Sequence, residues 1–98
     1  MSYFVVTYRY TADTAGRDAL RAEHRKWLAD REQLRVSGPT DDNGAVLILR
    51  TDSPEEAAST LDADPFAVHG LIAARTVTGW DPVVGPLAPA FRESPDAQ

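Results

Sequence analysis

Among these 98 residues, the side chain best placed by type and spacing to do chemistry is His24, in the run Arg21-Ala22-Glu23-His24-Arg25-Lys26-Trp27-Leu28. At about 100° per helical residue, Leu20, His24, Trp27 and Leu28 share one stripe. An imidazole therefore stands where a core side chain belongs. It is either a structural residue with its bonds satisfied or the chemical centre of a pocket. A free histidine titrates near ~6.5, so modest tuning makes it a base at neutral pH. Asp18, Arg25, Lys26 and Asp30 fall on the opposite side and suit water, and Trp27 reads as core. Arg21 has two readings. Its guanidinium can hold a substrate carboxylate bidentately, or it can pair on the surface with Asp18 or Glu23. His69 lies beside Gly70 in a turn with no partner in sequence. The chain has no cysteine, which removes disulfides, thiolate zinc sites and cysteine nucleophiles. Neither His-x-x-x-His nor His-x-His occurs, so no metal site and no cofactor are expected.

The elements that must position these groups follow from local patterns. Residues 2–10 are rich in aromatic and β-branched types and read as a strand. Asp13 or Thr14 can cap a helix running from about residue 15 to 32 or 33. A short strand at 34–37 is expected to end at Gly38-Pro39. The run 40–44 contains Asn43-Gly44, a hairpin signal, because such turns need positive φ angles. Residues 45–49 are apolar throughout and read as a central strand. Ser53-Pro54-Glu55-Glu56 combines a serine cap, a proline in the first turn and a capping-box glutamate. The second helix continues through Leu61 and is expected to end near Ala63, before Pro65. One further helical turn is expected from Pro65 towards Gly70, then a fourth strand over 71–80.

The order β-α-β-β-α-β predicts an α+β, ferredoxin-like fold. Two helices cover one face of a four-stranded antiparallel sheet, with strands 1 and 3 central. The other face has no helical cover and carries apolar residues, so the protein is expected to pair with itself, as a homodimer or higher. Residues 1–85 form the expected domain. Residues 86–98 form a tail whose Pro86, Pro89 and Pro95 argue against a packed element.

The topology also predicts a meeting. The end of the second helix comes back beside the first, which brings Asp64 towards His24. A carboxylate accepting from one imidazole nitrogen fixes the tautomer and leaves the other nitrogen to take a proton. Alternatively, Asp64 only caps the turn that follows, as Asp-Pro sequences often do.

Bulk properties narrow the partners. The net charge of −5 disfavours nucleic acid. RNA-recognition domains share this topology but need aromatic and basic residues on the sheet, which Val46-Leu47-Ile48-Leu49 lacks. No apolar run approaches the ~20 residues of a membrane span. The N-terminal residues lack the basic start of a secretory signal, so a cytoplasmic location is expected.

Arg21-x-x-His24, Ser37-Gly38-Pro39 and Asp62-Ala63-Asp64-Pro65-Phe66, followed by Gly70 and a strand ending at Trp80, resemble the YciI-like (YCII-domain) family over about residues 2–84. The resemblance implies a dimeric α+β barrel of ferredoxin-like subunits and a small pocket with a His-Asp dyad. In this chain the dyad would be His24 and Asp64. Arg21, Ser37 and Phe66 would contact a small-molecule substrate. Where family members often carry an acidic residue early in strand 4, this chain has Ala73 and Ala74. Activities implied for the family are of lyase or isomerase type. The two functions left in competition are a cofactor-independent small-molecule enzyme and a non-catalytic ligand-binding or accessory module of the same fold.

Overall fold

In a computed structural model, which describes residues 1–92, the elements run β1 (Ser2–Tyr10), α1 (Thr14–Ala29), β2 (Leu34–Thr40), β3 (Gly44–Thr51), α2 (Pro54–Leu61), α3 (Pro65–Val68), β4 (Ile72–Trp80) and α4 (Ala88–Arg92). The sheet order is β2-β3-β1-β4, antiparallel throughout, with β1 and β3 central as expected. This is the α+β ferredoxin-like architecture. The register pairs Val6 with Leu47 and Val77, so alternate residues of each strand share a face. Phe4, Val6 and Tyr8 join Ala45, Leu47 and Leu49 under Leu28 of α1 and Ala57 and Leu61 of α2. That is the core.

Local chemistry sets the element ends. Asp13 caps α1 by accepting from Gly16 N at 2.8 Å. Ser53 caps α2 by accepting from Glu56 N, and the Glu56 carboxylate accepts from Asp52 N, which closes a capping box. Gly44 is squeezed between strands: a Cβ there would sit 2.3 Å from the carbonyl oxygen of Tyr8.

Four expectations need correction. Helix α1 stops at Ala29, not at residue 32 or 33, because Arg31 folds back. Its Nε donates to the Trp27 carbonyl at 3.1 Å and its guanidinium stacks over the Trp27 ring. Strand β2 does not end at Gly38-Pro39 but runs through to Thr40. It is an edge strand, where a residue without an N–H costs no ladder bond. In the hairpin, Asn43 alone takes the left-handed conformation (φ 64°), not the Asn-Gly pair together. Finally, the proline-rich tail does pack in part. Pro89 lies in the first turn of α4, where its missing N–H has no intrahelical partner to lose. Phe91 then rests edge-on against Tyr3 and Trp80. Tyr3 lies on the face of the sheet opposite the core, so one end of that face is roofed by the chain itself. Pro95 lies outside the described residues. None of the described helices is long and apolar enough to cross a membrane.

Candidate functional site

His24 is buried on α1, and its Nδ1 donates to Oδ1 of Asp64 at 2.7 Å. A carboxylate only accepts, so the proton of the neutral imidazole sits on Nδ1 and the acceptor lone pair on Nε2. Nε2 makes no hydrogen bond among the described residues, yet it is not among their sealed, unsatisfied atoms. Within the described residues, Nε2 is thus left without a partner.

Asp64 has no exposed surface. Its Oδ1 also accepts from Phe66 N at 2.9 Å, and its Oδ2 accepts from the Tyr8 hydroxyl at 2.9 Å. The two readings of Asp64 in the sequence are thus both realised: the carboxylate caps α3 and holds the imidazole at once. Three donors compensate the cost of burying this charge. Burial first, and then the charge of Asp64 and the bond to it, push the Tyr8 phenol far above its ordinary range. It stays a donor. Tyr10 is raised too, by burial and then by Asp64, while Arg17 and Arg21 pull the other way.

The ring of Phe66 stacks face to face on His24, with centroids 3.8 Å apart and planes 9° from parallel. Tyr10 meets Phe66 edge-on, and the Arg17 guanidinium lies over Tyr10 at 4.6 Å. Together with α1 and the β2–β3 hairpin, these rings bound a hollow of about 450 Å3. That size suits a small organic molecule. Ser37, Gly38, Pro39 and Thr40 of β2 form its far wall, and Arg21 and Arg25 its rim.

His24, Asp64 and Phe66 are therefore in mutual contact. Arg21 of α1 and Ser37 of β2 line the same hollow, and Arg21 also pairs with Asp18. His69 is exposed at the end of α3 and lies outside the hollow. Reading the sequence missed Tyr8, Tyr10, Arg17 and Arg25. A signal for Tyr8 existed: it falls on the helix-covered face of β1, and a buried tyrosine needs a partner for its hydroxyl. Arg25, which the helix wheel places on the water-facing side, lines the hollow. Among the described residues, no cluster of histidine, aspartate and glutamate could hold a metal ion.

A βαββαβ sheet with this dyad beside a hollow defines a recognisable class, and the chain belongs to the YCII-related domain family, whose model matches residues 1–81. Among solved structures it is similar to the 5-chloro-2-hydroxyhydroquinone dehydrochlorinase TftG of Burkholderia phenoliruptrix AC1100, seen in complex with 2,5-dihydroxybenzoquinone. That pair shares 28% identity over 80% of this chain and 92% of the other, with a TM-score of 0.71. The fold also recurs in a NIPSNAP-domain protein of Burkholderia xenovorans, at 19% identity, TM-score 0.54, and 86% and 96% coverage. It recurs again in the protein Atu4242 of Agrobacterium tumefaciens, at 21% identity, TM-score 0.54, and 85% and 94% coverage. A search of curated proteins finds no match.

Proposed function

We propose that this chain is a small-molecule enzyme of lyase or isomerase type, with His24 as the base and Asp64 as the group that orients it. One observation carries this: an imidazole that lines a hollow of about 450 Å3, with its Nδ1 fixed by a buried carboxylate and its Nε2 without a hydrogen bond among the described residues. Such an arrangement suits proton abstraction from a bound ring compound. Nε2 takes a proton from the substrate, and Asp64 stabilises the imidazolium that forms. In a lyase the electron pair released expels a leaving group from the substrate. In an isomerase the same proton returns at another atom. Either step balances with the histidine as sole proton carrier. Phe66 offers a flat wall, and Arg21 and Ser37 hold an oxygen of the substrate. The similarity to TftG supports the reading, because a dehydrochlorinase removes a proton and a chloride from a hydroxylated ring. A second copy is proposed to pack on the open part of the outer sheet face.

The test offers the purified protein 5-chloro-2-hydroxyhydroquinone and a panel of related hydroxylated rings in deuterated buffer. Chloride release and deuterium uptake at ring carbon are followed. The expected result is turnover of at least one compound, lost by about 100-fold or more in His24→Ala with little change in melting temperature. If no compound reacts faster than in buffer, or if His24→Ala matches the parent, the enzyme reading fails and the binding-module alternative takes its place.

A further inference from the structure

The hollow has an unusual electrical composition for this chain. The protein carries a net charge of −5. Yet Arg17, Arg21 and Arg25 all line the cavity beside His24, and no aspartate or glutamate does. The three arginines are spaced four apart on α1. At about 100° per residue, each successive one drifts only about 40° around the helix, so they form a continuous ridge. Like charges at this spacing destabilise a helix. The nearest buried carboxylate, Asp64, lies behind His24 and is taken up by three other donors, the His24 ring, Phe66 N and the Tyr8 hydroxyl. Arg21 pairs with Asp18, an exposed contact that solvent screens. Arg17 is held by the Tyr10 ring and by donating to the Thr11 carbonyl at 2.9 Å, both uncharged partners. Arg25 makes no ion pair among the described residues. Below the ridge, Leu28, Leu47 and Pro39 are apolar, and the Phe66 ring is flat.

We infer that the ligand of this hollow is a small ring-shaped organic anion whose negative charge is spread over oxygens at its rim, and that Arg17 and Arg25 select it by charge. This rests on the proposed function only in placing the ligand in the hollow. Planar guanidinium groups suit a delocalised oxyanion, which can accept two parallel bonds from each. A cavity that excludes carboxylates while its chain is acidic overall gathers anions locally that the rest of the surface repels. The ridge also acts on reactivity. Substrate charge held at the arginines is charge that the histidine need not support as its proton transfer begins.

The experiment is a calorimetric titration of the full chain at neutral pH with two quinones. One is 2,5-dihydroxybenzoquinone, whose hydroxyls are vinylogous acids and ionise. The other is its neutral relative 2,5-dimethoxybenzoquinone. The ionised ring is expected to bind at least about tenfold tighter, and the difference is expected to shrink in high salt. Arg25→Gln and Arg17→Gln each weaken binding of the anion by about tenfold, with the neutral ring unaffected. Lys26→Gln removes the same charge from the same helix but away from the hollow, and is expected to leave binding unchanged. Equal binding of the two rings, no binding of either, or a Lys26→Gln effect as large as that of Arg25→Gln overturns the inference. Circular dichroism on each variant separates lost binding from lost folding, and since Arg25 is exposed and makes no hydrogen bond or ion pair among the described residues, its variant has no such bond to lose. The two proposals fail separately. Arginine-dependent binding with turnover indifferent to His24 sinks the catalytic reading alone. Turnover that needs His24 but ignores substrate charge sinks this one alone.

Discussion

Replacing Asp64 by asparagine isolates the charge of the carboxylate from its geometry. Asp64 accepts three bonds: from His24 Nδ1 at 2.7 Å, from Phe66 N at 2.9 Å and from the Tyr8 hydroxyl at 2.9 Å. An asparagine has one oxygen and one amide nitrogen in the same outline. The Phe66 N–H can only donate, so the oxygen must take the Oδ1 position. There it still accepts from His24 Nδ1, and the tautomer is kept. The amide nitrogen replaces Oδ2, and the Tyr8 hydroxyl turns to accept from it, as a hydroxyl can. Every bond is remade, and only the charge is gone. At an effective dielectric of about 20, opposite unit charges about 4 Å apart attract by about 4 kcal/mol. With about half the proton transferred in the transition state, about 2 kcal/mol of stabilisation is lost, or roughly 30-fold in rate. Asp64→Ala differs in kind. It leaves three buried donors without an acceptor at about 1–3 kcal/mol each, a large share of a small domain's ~5–15 kcal/mol. The assay is kcat on whichever ring compound is turned over, beside a thermal melt. Asp64→Asn should melt within about 10 °C of the parent. An unchanged rate would refute the electrostatic role. A loss near 10^4-fold would show that the amide had turned and the tautomer with it.

Two further expectations concern stability and assembly. Burial and the charge of Asp64 hold the Tyr8 phenol above its ordinary value of 10.0. Above about pH 10 the unfolded chain has released that proton and the folded chain has not, so the folded state binds more protons and stability falls as pH rises, by up to ~1.4 kcal/mol per pH unit from this group. Tyr8→Phe should flatten that decline in urea titrations between about pH 9 and 11, and an unaltered slope would refute the assignment. On the outer sheet face, Val5 and Val46 lie on neighbouring strands and are half-buried. Lysine at both positions should convert a dimer to a monomer in light scattering at about 100 µM, whereas a parent protein that is already monomeric there would remove the proposed interface.

Much of this arrangement was legible before any coordinates. The caps are chemical signals confined to a few residues: Ser53 forms as read, and of the two candidates Asp13 and Thr14 it is Asp13 that caps α1. The apolar continuity of β3 marked it as central, and it lies between β2 and β1. The crossover of the helices brings Asp64 towards His24, and the two are hydrogen-bonded. What escaped depends on contacts distant in sequence. The expected topology already made β2 an edge, but nothing local says that its pairing runs on through Gly38-Pro39 to Thr40, which only an edge strand accepts. The end of α1 depends on Arg31 finding the Trp27 ring and carbonyl, which no glycine or proline announces. Tyr8 and Tyr10 read as ordinary strand residues until the end of α2 is brought over them. Arg25 was judged by its angle on the helix wheel, but its long side chain reaches the rim from the flank of the stripe.

Asp64 both starts a turn of α3 and grips the imidazole, and that double duty bears on how such chains can be sorted by descent. In a lineage that had given up turnover, the aspartate would persist for the sake of the turn it begins, while His24 would be released to drift. The presence of the aspartate in a distant cousin is therefore silent about activity. Under the proposed mechanism, it is the histidine that carries the record.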